Sequence, residues 1–436
     1  MDASTEPDRA DVVVAGAGLA GLAAASVAAG AGARRVVLVD GRNDERAIGG
    51  RARTDHQAGF ALNQGPRALF RGGAGRPVLE RLGLRPTGGP PATSCSYGLR
   101  DGHLERLPDD GRALLTSRLL GIRSKAQVGW LLARIADRTT EGLADRSTAE
   151  WIASLGLRPD AVGLVTMLTR VATYTEDLTR LSADAGARQV QMALVDGVDY
   201  LDGGWQQLVD GLVGVARSRG VEIRTGSRLA GVGRAGDGDG WVVTTAAGSI
   251  RAARVVLALG SPRATAAVLD DPPAWEAGHD ATAACLDLGL RRAPGRAIVF
   301  GIDEPLYLST HTPSARLAPE GGAVVHVLRY GAGSAEADRA QLWALAARAG
   351  VDRADVVVER FLHRMVVAHS LPRPGAGLAG RPPVAVAGHP SVYVAGDWVG
   401  PEGLLADASL ASAEVAGRLA ADPATDPATH LVATVR

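Results

Sequence analysis

The first signal along the chain is a change of period. Residues 11–15 (DVVVA) form an unbroken apolar run of strand length, and residues 16–21 (GAGLAG) interrupt it with glycine. An alanine-rich stretch to about residue 29 predicts a helix, and residues 35–40 (RVVLVD) predict a second buried strand. Strand, glycine turn, helix and strand in so short a span predict a βαβ unit, whose parallel strands need that crossover.

Further on, Leu115, Leu119, Ile122, Val128, Leu131, Leu132 and Ile135 recur at helical spacing among Arg118, Arg123, Lys125 and Arg134, which predicts an amphipathic helical region over about 114–136. Helical periods continue near 148–155 and 160–172, and Gly203-Gly204-Trp205 opens a helix to about 218. Strands are predicted at 221–224, 241–245 and 254–259, with 236–240 (GDGDG) as a hairpin turn. Then come strands near 297–300 and 323–328, a helix over about 335–349 and a Pro/Gly-rich connector over 371–390. A strand at 392–395 and a helix near 406–420 complete the pattern, and no internal repeat appears.

Composition narrows the class. A chain of 436 residues predicts two or three domains, and 46% hydrophobic with 22% charged residues is the balance of a folded globular protein. Lys+Arg and Asp+Glu are both 47, so the formal charge is zero and a nucleic-acid partner is not expected. Lys125 is the one lysine in this arginine-rich chain, so a single arginine carries little meaning by itself. Cys95 and Cys285 lie far apart with no CxxC spacing; no metal site or disulfide framework is expected, and a cytoplasmic setting fits. The segment MDASTEPDRAD is acidic and polar, and no apolar run reaches the roughly 18 residues of a membrane span, so neither export nor spanning is expected.

Candidate chemistry begins at the glycines. Gly16, Gly18 and Gly21 fit GxGxxG, with Leu19 and Ala20 opening the helix, and Asp40, followed by Gly41, closes the next strand. The first glycine makes a tight turn, the second admits a pyrophosphate close to the backbone and the third lets helix meet sheet, while the carboxylate accepts from a ribose hydroxyl. This context predicts a dinucleotide site.

Residues 49–54 (GGRART) resemble the second FAD motif of the superfamily that joins flavin amine oxidases, phytoene desaturases and protoporphyrinogen oxidases. The resemblance implies FAD, with Gly49, Gly50 and Arg51 near its pyrophosphate; glycine admits the backbone and arginine offers a fork of donors. Residues 392–398 (VYVAGDW) and the glycines that follow resemble the family's C-terminal flavin motif. It implies cofactor contacts from Gly396 and Asp397 and from Leu404 and Leu405, where a helix aims its positive end at the flavin pyrimidine edge. Residues 221–232 resemble the adenine-contacting segment and assign Leu229 to it. The triplet Gly65-Pro66-Arg67 is similar to an element of protoporphyrinogen oxidases that passes the flavin face. Arg67 is therefore the candidate to bind a substrate carboxylate or carbonyl or to stabilise reduced flavin, a salt bridge being the structural alternative.

Motifs at the start, middle and end of the chain imply an α/β fold: a Rossmann-type, doubly wound FAD-binding domain, discontinuous in sequence, with a mixed α+β substrate domain. The expected division is 1–88, 203–268 and 386–436 for the FAD-binding domain, and 89–202 and 269–385 for substrate. The resemblance implies an FAD-dependent oxidoreductase that dehydrogenates a mainly hydrophobic small molecule by hydride transfer to flavin N5. A flavin-dependent isomerase or cyclase without net redox, a catalytically silent binder and an amine oxidase stand as alternatives. Many amine oxidases of the superfamily use a lysine from the second half of the chain and an aromatic frame; here Lys125 lies in the first half and aromatics are 4%, although Trp398 offers one wall. Tyr174, Tyr200, His326, His363 and His369 are acid/base candidates outside any motif, each expected to be structural. The amphipathic region near 114–135 is expected to pack on the substrate domain with its basic face in water, peripheral contact with a bilayer being the alternative.

Overall fold

Val12, Val13 and Val14 have no exposed surface, as do Val37, Leu38, Val255 and Val256. Strands apolar on both faces must be covered on both sides, the situation of a parallel sheet flanked by helices. The computed structural model, which describes residues 8–422 except 109, 138, 237, 239 and 277, has this arrangement. Strands Glu222–Arg224, Val36–Val39, Asp8–Ala15, Gly248–Leu257 and Val392–Val394 run parallel in that spatial order.

Gly248–Leu257 serves two sets of neighbours. One edge pairs with Asp8–Ala15 from Ile250 to Leu257; on the other edge its last three residues pair with Val392–Val394 and its first half pairs antiparallel with Trp241–Thr245, which continues to Leu229–Arg234. Arg234 stands opposite Trp241 across the expected hairpin; Asp237 and Asp239 of its turn lie outside the described residues, as do 1–7 and 423–436 of the outer cofactor segments. Helix Leu19–Gly30 packs against Leu405–Ala421 and Gln206–Ser218, forming one apolar cluster on the sheet. Each fully buried valine or leucine there contributes about 1.5–3 kcal/mol.

A second sheet has the order Val356–Ala368, Ala281–Leu290, Ala323–Tyr330, Leu306–Thr310, Ile298–Gly301, Ser96–Arg100 and His103–Arg106. It is antiparallel except where Ile298–Gly301 meets Ser96–Arg100. Helix Ala335–Ala349 covers one face, and the other faces a cluster shared with helices Thr148–Ser154, Pro159–Thr173 and Ala183–Val195. Val198–Leu201 pairs with Leu69–Phe70 and with Gly88–Gly89, which straddles the expected boundary after residue 88, in a small third sheet.

The single helical region expected over 114–136 is two helices, Gly111–Thr116 and Ile122–Ala133. The carboxylate of Asp160 accepts from Gly121 N–H at 2.8 Å and from Ser124 Oγ at 2.5 Å, which starts the second helix afresh. No helix among the described residues is long and apolar enough to cross a membrane.

Candidate active site

The glycines at the first strand end have three separate surroundings. Gly16 takes φ +101°, and a Cβ there would lie 2.4 Å from Ala258 O; a Cβ on Gly21 would lie 1.7 Å from Gly16 O. At Gly18, with φ −83°, nothing lies within 4 Å of such a carbon. Two of the glycines are thus demanded by the fold, whereas the third faces open space. Asp40 accepts from Ala17 N–H at 2.7 Å and Arg42 N–H at 2.8 Å, which holds its carboxylate beside the turn.

The second glycine motif docks on the first. Gly49 N–H donates to Ala17 O at 2.8 Å, and Gly49 and Gly50 both adopt positive φ. Arg51 then makes a fork with Asp397, 346 residues away, at 2.6 and 2.8 Å, and donates to Val367 O at 3.0 Å. Burial opposes the charge of Arg51, but the Asp397 carboxylate more than restores it and holds the guanidinium above its ordinary range. Two residues assigned to the cofactor by resemblance are therefore partners of one another. Asp397 also accepts from His369 N–H at 2.9 Å.

These segments enclose a cavity of about 1240 Å³. Gly16, Gly18, Leu19, Ala20, Asp40, Gly41, Gly49, Gly50, Arg51, Pro66, Arg67, Leu229, Gly396, Asp397 and Leu405 line it; Gly21, Gly65 and Leu404 do not. Gly21 lies under the helix, Gly65 faces Met365 and Cys285, and Leu404 faces a second cavity of about 310 Å³. Leu405 opens helix Leu405–Ala421 with φ +56°, a conformation costly for a residue with a side chain. Trp205, Arg228, Met365 and Asp407 also line the cavity, and no sequence motif marks them.

Arg67 is half-buried in the cavity wall, its Nε and Nη2 atoms buried and lacking partners, 5.7 Å over the ring of Trp205. Burial, followed by repulsion from Arg51, lowers its pKa to about 10. The alternative, a salt bridge, is not formed among the described residues. Beside it Tyr174 takes φ +56° at the end of Pro159–Thr173 and donates its hydroxyl to Pro66 O at 3.1 Å. Burial raises the phenol pKa, so Tyr174 is a neutral donor.

Low aromatic content is misleading at this point. Tyr174 lies 6.2 Å edge-on from Tyr330, and Tyr200 and Tyr307 share a 3.3 Å hydroxyl contact, so four of the chain's six tyrosines gather behind the cavity. Trp398 packs 5.0 Å from Trp275 and does not line the cavity, and Lys125 donates to Leu115 O on the surface. His363 contacts Gly333 O at 3.1 Å, whereas His369 lines the cavity.

Beyond the tyrosines, Asp287 is fully buried and accepts from His326 Nδ1 at 2.5 Å, from Arg360 Nε at 3.0 Å and Nη2 at 2.5 Å, and from the Cys285 thiol at 3.1 Å. Cys285, Asp287 and His326 are the one grouping with metal-ligand chemistry among the described residues. The Arg360 guanidinium already neutralises the carboxylate, so a dication would meet a cation there; burial keeps Cys285 a thiol. The network reads as a paired buried charge.

Asp407 lines both cavities and accepts from Gly75 N–H at 2.9 Å. Burial raises its pKa from the ordinary 3.8 to about 6. The folded chain then holds a proton that the unfolded chain releases, so the stability of the flavin-free protein falls as pH rises from about 4 to 6, by roughly 3 kcal/mol in total. Asp407→Asn keeps an oxygen for Gly75 and removes that loss. Its melting temperature is expected to exceed the parent's above pH about 7 and to match it near pH about 4; a gain of equal size at both would discount the ionisation.

The sequence matches the family model of flavin containing amine oxidoreductases over residues 19–294. Among solved structures, it superposes on an oxidoreductase from Methanosarcina mazei with a TM-score of 0.72 at 16% identity, covering 93% of this chain and 99% of that one. Putrescine oxidase bound to putrescine gives 0.72 at 19% identity, covering 94% and 98%. Cyclohexylamine oxidase from Brevibacterium oxydans gives 0.67 at 19%, covering 95% and 98%. No curated protein matches the sequence. At such identities, the structural likenesses speak for fold alone.

Proposed function

The chain belongs to the flavin containing amine oxidoreductase family and is an FAD-dependent oxidoreductase, and on that premise we propose that it dehydrogenates a mainly hydrophobic molecule carrying a carboxylate or carbonyl that docks on Arg67. The observation that carries this reading is the Arg67 guanidinium in the cavity wall, whose Nε and Nη2 nitrogens are buried without a hydrogen-bond partner. An unpaired buried cation is destabilising, so its retention asks for an anionic or acceptor partner.

The cavity suits the cofactor. Gly18 leaves open the space that any side chain would fill, Asp40 presents a fixed carboxylate to a ribose, and Gly50 and Arg51 offer close backbone and a guanidinium to phosphate. FAD, when bound, supplies the two-electron acceptor for a hydride. The chain supplies position and field. The N-terminus of helix Leu405–Ala421 reaches the cavity through Leu405 and Ala406, and its positive end favours developing negative charge. Neutral Tyr174 holds the Pro66 carbonyl and thereby the Pro66-Arg67 turn. Met365, Val366 and Val367 give the substrate an apolar wall.

Tyr174 and Trp205 in the cavity wall favour a second reading, amine oxidation within an aromatic frame. Arg67 opposes it, since an unpaired guanidinium repels an ammonium. Anaerobic mixing of the holoprotein with matched apolar compounds separates the readings. A carboxylate or carbonyl member is expected to bleach the visible flavin band and the corresponding primary amine is not. Bleaching by the amine alone would reverse the assignment, and product formation without bleaching would establish a non-redox isomerase.

A further inference from the structure

Helix Ile122–Ala133 has two apolar faces. Val128 and Leu131 point inward, Leu131 into the cluster that contains Tyr307 and Tyr330. Ile122, Ala126, Trp130 and Ala133 fall within about 80° of arc on the opposite side and are all exposed, Ile122 by 87% and Trp130 by 53%. Leu115 of the preceding helix, 72% exposed, adjoins them through the Lys125 bond to its carbonyl at 2.6 Å. The sequence predicts a solvated basic face here; the structure turns an apolar face outward and moves the charge to its margins, Arg123 on one side and Lys125 on the other.

The segment's own charges have a single sign. Arg112, Arg118, Arg123, Lys125 and Arg134 lie between Asp110 and Asp137 with no acidic residue among them, so this stretch carries five positive charges in a chain of net zero. We propose that this surface docks on an anionic lipid bilayer, with Leu115, Ile122 and Trp130 entering the headgroup boundary and the five cations meeting lipid phosphates. A second copy of the chain is a poorer occupant, because a twofold contact sets the same five cations against themselves. Helix Pro159–Thr173 packs beneath Ile122–Ala133 and leads directly to Tyr174 on the cavity wall, so the docking face lies one helix layer from the site. The docking itself does not depend on which substrate is oxidised.

Flotation of the holoprotein with vesicles tests this. Binding is expected to vesicles of phosphatidylcholine with phosphatidylglycerol, to weaken as salt rises, and to be slight with phosphatidylcholine alone. The pair Arg123→Ser and Lys125→Ser is expected to lower partitioning about thirtyfold. Ile122→Glu with Trp130→Glu is expected to abolish it, with the flavin spectrum and turnover of a soluble substrate unchanged. No binding to mixed vesicles overturns the proposal, as does equal, salt-insensitive binding to both kinds. Self-association of the parent that Ile122→Glu disperses assigns the face to a second copy and overturns it too. An acidic protein that binds the face while vesicles do not has the same consequence.

Discussion

Gly18→Val yields a folded protein without colour. Valine at this position meets no atom within 4 Å at its Cβ, and the backbone at φ −83° accepts it, so the flavin-free fold has no reason to change. The added carbons stand where a phosphate must approach, and overpacking of this kind costs about 1–3 kcal/mol, up to roughly a hundredfold in FAD affinity. Gly16→Val and Gly21→Val make the contrast: their added carbons strike Ala258 O and Gly16 O, so both are expected to lose the fold along with the flavin. Circular dichroism, melting temperature and flavin absorbance of the three variants report fold and cofactor separately. Full FAD occupancy in Gly18→Val would sink the cofactor assignment, and an unfolded Gly18→Val would mean that this glycine is structural like its neighbours.

Arg67→Met is expected to lower kcat/KM for the oxygen-bearing substrate by about a hundredfold or more, the cost of truncating one partner of a buried charge-assisted contact. Its effect on stability runs the other way. The Nε and Nη2 nitrogens of Arg67 are buried without partners, so an apolar side chain of similar length is expected to leave the melting temperature unchanged or higher. A stability gain combined with an activity loss is the mark of a residue kept for function. Unchanged turnover in a more stable variant would remove Arg67 from the site, and loss of the fold would make it structural.

Much of the cofactor half was legible because its signals are local. The glycine turn, the valine strands and the acid closing Val36–Val39 each lie within a few residues, and the helix after Gly403 follows its own strand. The substrate half hid its longest strand. Val356–Ala368 alternates poorly, is interrupted by Arg360, His363 and Arg364, and shows no strand pattern; Arg360 is committed to Asp287, 73 residues away, a partner that no window of sequence contains. Tyr307 and Tyr330 went unmarked for the same reason, since one residue in each of two separated strands makes no pattern until the sheet pairs them.

What the sequence determined by itself is where backbone must come close and where strands must be covered on both faces, because apolar runs and glycine positions act through nearest neighbours. Tertiary structure decided three things: that Arg51 is held by Asp397, that Arg67 meets no carboxylate among the described residues, and that helix Ile122–Ala133 shows water an apolar face. The first two depend on which charges meet across hundreds of residues, and the third on which face of the helix its neighbours cover; electrostatic partners, unlike periodicity, leave no trace in spacing along the chain.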